Sequence, residues 1–270
     1  MIEELKYLLL GLIQGLAEFF PISSSGHIIL FSSVLNTAKH NPLLLSVIVH
    51  FATTLSTIIV YRKRISRIFF GITKYRNPKD ISFLLKIITS SIPLIIIAAL
   101  FIKKIDIIFY RNDMLVAIML MITAFILIFS GRKRGEKEEI SYYHAILIGI
   151  AQAIAIIPGI SRSGATISMA LLCKIKRRKA AEFSFLMVLM PIIGVTLIQI
   201  IILLSKDITI TPIEINGLII AFFTAFFSGW FACKYMIILV TQNNLKYFGY
   251  YCLIVGFVWS FPFWKILLKF

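Results

Sequence analysis

The chain has 270 residues but only 12 Asp and Glu against 28 Lys and Arg, and it carries three Cys and four His. Cys173, Cys233 and Cys252 are odd in number, lie in or beside apolar segments and lack metal-ligand spacing, so neither a disulfide framework nor a zinc site is expected. Charged residues make up 15% of the chain and hydrophobic ones 59%, with a mean hydropathy of +0.94, which excludes a soluble core of ordinary composition. The shortage of acid leaves a net charge of +16. Nucleic acid would suit such a charge, but the Lys and Arg fall between apolar runs, where the positive-inside rule of membrane proteins accounts for them. No nucleic-acid partner is expected. The start, Met1-Ile2-Glu3-Glu4, lacks the basic n-region of a signal peptide, so no cleaved segment is expected.

Long apolar runs dominate what is present. Six of them, at 43–61, 83–102, 114–130, 181–204, 215–233 and 248–264, come near the ~20 residues needed to cross a bilayer. The sequence predicts an all-α polytopic membrane protein, with 1–270 as a single membrane domain.

Two further apolar segments are copies of one another. Residues 11–29, GLIQGLAEFFPISSSGHII, recur without a gap as residues 149–167, GIAQAIAIIPGISRSGATI, and eight of the 19 pairs are identical. In each copy a helical stretch meets proline, then a Ser/Gly cluster, then apolar residues again. Backbone released from helix inside a bilayer survives only where it lines an enclosed cavity. A matched pair of such breaks in the two halves of a chain marks a binding site. Three spans follow each motif, an odd number, so an inverted-topology repeat is expected, with repeat one at about 1–137 and repeat two at about 138–270. The two re-entrant broken pairs would meet at mid-membrane and bring Ser24 toward Arg162. On that topology the loops at 62–82, 131–141, 174–179 and 234–247 share a face with 18 basic residues, against 8 on the other face. The richer face is expected to be cytoplasmic, with the first motif opening to the outside.

The copies differ in chemistry. Glu18, Ser24 and His27 in the first stand where the second has Ile156, Arg162 and Ala165. An ionisable residue inside a membrane segment is a functional hypothesis by default. Gln14 and Glu18 lie one turn apart on the first helix, which Pro21 should end because it cannot continue the hydrogen-bond ladder. Gln152 is the counterpart of Gln14. Ser23, Ser24, Ser25 and Gly26 offer an N-cap and free backbone N–H groups to an anion, as do Ser161, Ser163 and Gly164, with Thr166 a turn further on. Plain capping is as good a reading for Ser23 and Ser25. Ser24 and His27, three apart, resemble an activated hydroxyl and its imidazole, although a bare Ser-x-x-His is a weak signal. Arg162 suits bidentate contact with phosphate oxygens. The plainer reading is a structural ion pair with Glu18, which would still join the two motifs. His50 and His144 sit near segment ends and read as interfacial or capping residues. Glu182 should answer the charge of the KIKRRK loop, and Pro93 and Pro191 should kink their spans.

PISSSGH at 21–27, preceded by Gln14 and Glu18, together with PGISRSGAT at 158–166, resembles the paired signature of the undecaprenyl-diphosphate phosphatase family, known also for bacitracin resistance. The likeness extends to AAEFSFLMVLMPIIGV at 180–195 and, more loosely, to most of the chain. The resemblance implies removal of the terminal phosphate from undecaprenyl diphosphate, which recycles the lipid carrier for cell-wall synthesis. It implies a bacterial plasma-membrane enzyme whose site opens outward and a divalent metal, Mg²⁺ or Ca²⁺, with Glu18 and Gln14 as its protein ligands. Glu18, Ser24, His27 and Arg162 would be the catalytic group, with Ser24 as nucleophile and His27 as base or proton relay. Ser23, Ser25, Gly26, Ser161, Ser163, Gly164 and Thr166 would hold phosphate. The implied partners are a polyprenyl diphosphate lipid and the bilayer, with a homodimer as a candidate assembly. Cys252 departs from the family, where many relatives have Arg, and Lys246 is the neighbour that could substitute for it. Phe51-Ala52 after His50 departs as well.

A transporter or flippase is the rival reading, since inverted repeats with broken helices serve transport. The Ser24/His27 pair argues for an enzyme. An acid-phosphatase-type site would require a histidine at position 168, which is serine.

Overall fold

In hydrocarbon each backbone amide needs a partner within the protein, and a helix supplies it locally. The computed structural model describes residues 2–35, 42–109, 112–132, 135–204, 212–242 and 244–261. Among the described residues there are ten helices and no strand beyond one bridge between Lys137 and Ile175. The protein is an all-α polytopic membrane protein. α3 (Pro42–Thr73), α4 (Pro78–Phe109), α5 (Asp113–Gly131), α8 (Arg177–Leu204) and α9 (Pro212–Thr241) are long and apolar enough to cross a membrane. The sixth expected span is α10 (Leu245–Ser260), described over 16 residues; positions 262–264 of the expected run lie outside the described residues. Pro93 and Pro191 sit inside α4 and α8, each of which continues through its proline.

The two copied segments form helix pairs. α1 (Ile2–Phe19) is interrupted at 20–23 before α2 (Ser24–Leu35), and α6 (Tyr142–Ile154) at 155–161 before α7 (Arg162–Leu172). Packing follows the same order in both halves: α1 lies on α9 as α6 lies on α4, α3 meets α9 as α8 meets α4, and α5 pairs with α10. Small residues permit these crossings, since lipid supplies no hydrophobic drive between helices and close van der Waals approach must do so. A Cβ on Gly11 or Gly15 of α1 would come within 2.5 or 2.6 Å of the carbonyl oxygens of Ala221 and Ala225 on α9. At the equivalent crossing a Cβ on Gly149 would meet the Ser90 carbonyl oxygen of α4 at 2.3 Å.

The four basic loops gather at one end: Ile237 of the fourth lines a cavity with Lys63, Glu138 and Lys176, and a Cβ on Gly131 would sit 3.6 Å from Lys246 N. Arg64, Arg67, Lys79, Glu138 and Lys179 line a common cavity there. His144 caps α6 as expected, exchanging backbone hydrogen bonds with Ser141. Glu182 differs from expectation. It pairs with Arg64 Nε of α3 at 2.7 Å, because helix packing brings that guanidinium closer than the loop that precedes α8.

Candidate functional site

Both breaks are built from the same capping bond. Ser23 Oγ accepts from Gly26 N at 3.3 Å, and Ser161 Oγ accepts from Gly164 N at 3.0 Å, which satisfies one orphan donor at the start of α2 and of α7. The turns before the caps differ. Ser23 takes the left-handed φ of 71°, whereas at the second break Gly159 takes it, at 95°. Pro21 occupies the position equivalent to Gly159, and its ring fixes a negative φ, so the reversal in the first break moves to the serine. The Ser23 carbonyl holds that conformation by accepting both His27 N at 3.1 Å and His27 Nδ1 at 2.9 Å. Thr123 of α5 fixes the second break from outside: its hydroxyl donates to the Gly159 carbonyl at 2.8 Å and accepts from Ser161 N at 3.1 Å.

The breaks touch. A Cβ on Gly26 would sit 3.0 Å from Gly159 Cα, and one on Gly164 would sit 3.3 Å from Pro21 Cβ. At this junction Glu18 Oε1 accepts from Arg162 Nη2 at 2.8 Å, and Oε2 accepts from Ser24 Oγ at 2.7 Å and Gln14 Nε2 at 3.1 Å. The Glu18 side chain is only 4% exposed, and Arg162 retains 25%. An unpaired carboxylate at that depth would be expensive, and the guanidinium with two further donors neutralises it. The ion pair between Glu18 and Arg162 is therefore present, and it joins residues from the two copies. The pair separates two small cavities. One is lined by the Ser23, Ser24, Ser25, Ser161 and Arg162 side of the junction. The other lies among Phe19, Thr57, Phe185, Leu189 and Ile192.

The expected Ser24–His27 pairing is not observed. Ser24 is the first residue of α2 and reaches back across the break to Glu18, while His27 faces away. A carbonyl only accepts, so His27 Nδ1 bears the proton donated to Ser23 O. Nε2 then accepts the Tyr251 hydroxyl of α10 at 2.9 Å, and the two rings stack with centroids 5.6 Å apart. Tyr251 was not singled out from the sequence, where it is one aromatic among the ten tyrosines and 23 phenylalanines of the chain. Cys252, next to it, is buried with Sγ 3.8 Å from the Pro21 carbonyl, so the side chain at this position abuts the first break. Lys246 lies instead over the Tyr247 ring.

His50 lies in the first third of its helix, α3. Its Nδ1 bonds the Ser46 carbonyl at 2.8 Å, and the imidazole interacts electrostatically with both Glu18 and Arg162. Thr166 is fully buried, but its hydroxyl donates to Arg162 O of its own helix at 2.9 Å, so its donor is spent on the backbone. Ser23 and Ser25 face one another at 3.4 Å, and Ser161 and Ser163 at 3.3 Å. Gln152 is fully buried without a side-chain partner among the described residues.

For a divalent ion the protein offers little. Among the described residues no group of three or more His, Cys, Asp or Glu stands ready to hold one. Gln14 Oε1 is buried without a donor, however, and lies on the amide that bonds Glu18. An amide oxygen beside a carboxylate suits a hard cation that takes its remaining ligands from phosphate and water.

Comparison with known proteins bears on this site. Residues 7–258 match the family described as bacitracin resistance protein BacA. A protein of Christiangramia forsetii named undecaprenyl-diphosphatase is 41% identical over 251 residues, spanning 92% of this chain and 94% of the relative. One of Bacteroides fragilis with the same name is 40% identical over 257 residues, at 95% and 97% coverage. A third, of Oceanobacillus iheyensis, is 36% identical over 260 residues, covering 93% of each chain.

Proposed function

The chain belongs to the bacitracin resistance protein BacA family, and from that premise we infer that it is a membrane-embedded undecaprenyl-diphosphate phosphatase working where the two breaks meet. It hydrolyses undecaprenyl diphosphate to undecaprenyl phosphate and inorganic phosphate. The observation that carries the site is the continuous chain of bonds from Ser24 through Glu18 to Arg162, 2.7 and 2.8 Å long.

The diphosphate enters on the serine-lined side and draws the Arg162 guanidinium to its terminal phosphate, since a phosphate matches the planar fork as well as a carboxylate does. Glu18, released from part of that ion pair, accepts the Ser24 proton as Oγ attacks the terminal phosphorus. The bond to the bridging oxygen breaks, and undecaprenyl phosphate leaves with that oxygen. Water then displaces Ser24 from the phosphoserine, keeping both its hydrogens on the inorganic phosphate that forms, and the departing Ser24 oxygen takes back the proton held on Glu18. Arg162 and the N–H groups at the starts of α2 and α7 stabilise charge on the phosphoryl oxygens. His27, held between Ser23 O and Tyr251, keeps the first break in shape instead of serving Ser24 directly. Gln14 and Glu18 would hold a Mg²⁺ or Ca²⁺ ion, whose charge would offset that of the diphosphate.

The basic end faces the cytoplasm on the positive-inside rule, which leaves the site open to the outer side of a bacterial plasma membrane. The reciprocal packing of the two halves supports an inverted repeat. Apolar side chains exposed on several helices leave room for a homodimer, which the protein's mass in nanodiscs checks.

Phosphate release from undecaprenyl diphosphate by purified protein, with and without Mg²⁺, tests the reading. Metal-dependent release that Ser24→Ala and Arg162→Ala both abolish is expected. Folded wild type that binds the lipid through Arg162 without cleaving it would overturn the reading in favour of a transporter.

A further inference from the structure

Away from both breaks, at the basic end, α3, the start of α8 and Glu138, with Ile237 of α9, line an open cavity of about 660 Å³. Lys63, Arg64 and Arg67 line it from α3, and Lys176, Arg178 and Lys179 from the approach to α8 and its first turn. Two carboxylates answer part of this charge: Glu182 pairs with Arg64 and Glu138 with Lys176. Lys63, Arg67, Arg178 and Lys179 have no ion-pair partner among the described residues. A cleft lined by an excess of one charge, with apolar walls, concentrates counter-ions.

Two further observations distinguish this cavity from a set of loose surface lysines. Tyr61 lines it at 7% exposure, and its hydroxyl has no hydrogen-bond partner among the described residues. A buried hydroxyl without a protein partner can be completed by a water or a ligand atom. The rim is also held by backbone bonds. Glu136 N and Lys137 N both donate to Lys174 O at 2.8 Å, and Lys176 N donates to Lys137 O at 3.0 Å. A Cβ on Gly135 would sit 2.0 Å from Ile175 O, so the 135–138 strip lies flat against the approach to α8. The backbone on that side of the cavity is thus fixed, while Lys63 and Arg67 of α3 and Arg178 and Lys179 of α8 reach in from exposed positions. A second cavity shares Arg64, Arg67 and Lys179 and continues it toward α4.

We propose that this cavity is a binding site for the phosphate group of an anionic ligand, taken from the headgroup of an anionic phospholipid in preference to free phosphate. Guanidinium and ammonium groups from two facing elements, α3 and the start of α8, match phosphate oxygens, with the Tyr61 hydroxyl beside them. Basic pockets between the ends of transmembrane helices are where anionic headgroups bind. The site is separate from the reaction junction and does not depend on the phosphatase reading.

Native mass spectrometry of the detergent-purified protein with phosphatidylglycerol or phosphatidylcholine tests the lipid arm, and ³¹P NMR line broadening of inorganic phosphate tests the free-ion arm. One tightly retained phosphatidylglycerol per chain is expected, with retention falling about tenfold in Arg67→Ala/Lys179→Ala and about threefold in Tyr61→Phe, as for losing charge-assisted and neutral hydrogen bonds. Phosphatidylcholine should not be retained, and Ser24→Ala should retain phosphatidylglycerol as wild type does. Phosphate broadening lost in the same variants, without lipid retention, would support the phosphate site and reassign its source to the free ion. Equal retention of both lipids, or retention unchanged in the charge variants, would overturn the proposal. Should the double variant fail to fold, Lys63→Ala/Arg178→Ala removes the same charge from the same two helices, and the same loss is expected of it.

Discussion

Ser23 caps α2 and reaches Ser25, and Ser161 caps α7 and reaches Ser163, so equivalent hydrogen bonds recur in the two copies of one segment. The residue between each serine pair differs, and so does what it does. In the first break Ser24 turns back to the buried Glu18, whereas in the second Arg162 crosses to that same carboxylate. The first break holds the hydroxyl and its hydrogen-bond acceptor, and the second supplies the positive charge. Different residues at the position between the serines, with a carboxylate in the first segment alone, thus make an asymmetric junction from matching frames. Neither half contains the site alone, because the carboxylate that organises it is shared.

This division of labour sets an order of effects. Glu18→Gln should be the most damaging change, since it removes the acceptor for Ser24 and the partner of Arg162 together. Phosphate release should fall by about 10³-fold or more, measured at saturating lipid with the circular-dichroism spectrum unchanged. Retention of a tenth of wild-type activity would remove Glu18 from the proton path. Arg162→Lys comes next. It keeps the charge but loses the planar fork, and a drop of about 10²-fold in kcat/KM is expected. A loss equal to that of Arg162→Ala would mean that geometry, not charge, is the contribution of the second break.

Stability should show the reverse asymmetry. The second break needs Gly159 at φ 95°, with Met119 Cβ and the Val116 carbonyl oxygen 2.6 Å from any added Cβ. Gly159→Ala is expected to destabilise the protein by about 2–4 kcal/mol, read as a lower melting temperature in detergent. Thr123→Val, which removes both bonds that hold the second break, should cost about 1–2 kcal/mol. In the first break, Tyr251→Phe deletes the hydroxyl on His27 but keeps the ring stack, and a loss of about threefold to tenfold in kcat with little change in KM is expected. A hundredfold loss would return His27 to the proton path. The smallest effect belongs outside the membrane. The hydrogen bond and charge of Lys176 hold the Glu138 carboxyl below the usual range. The stabilisation it gives is therefore present at neutral pH and lost only as pH falls through that lowered value. Glu138 is fully exposed, so Glu138→Gln should move the pH 7 melting temperature by less than about 1 °C.

Much of this architecture could be read in advance. Hydropathy gave the helices, because burying backbone in lipid allows few alternatives. The proline and Ser/Gly clusters placed both breaks to within a few residues, since Pro21 and Gly159 act through local backbone geometry. Counting spans brought the two motifs together, and Glu18 and Arg162 do meet.

Contacts that depend on side-chain direction and on distant helices were not legible in this way. Ser24 and His27 are three apart on one helix, but Ser24 opens that helix and its hydroxyl points back over the break, toward Glu18. Tyr251 reaches His27 across 224 positions and Thr123 holds Ser161 across 38. Neither pairing leaves a periodic or compositional trace. His50 reads as interfacial because its apolar run begins shortly before it, and only the packing of α3 put it within the field of Glu18 and Arg162. The sequence by itself determined that the chain lives in a membrane, where its two helices break and which ionisable groups those breaks carry, because these follow from local backbone chemistry and solvation. The tertiary structure alone decided which of those groups bond one another, because that depends on how helices far apart in the chain pack and which way each side chain leaves its turn.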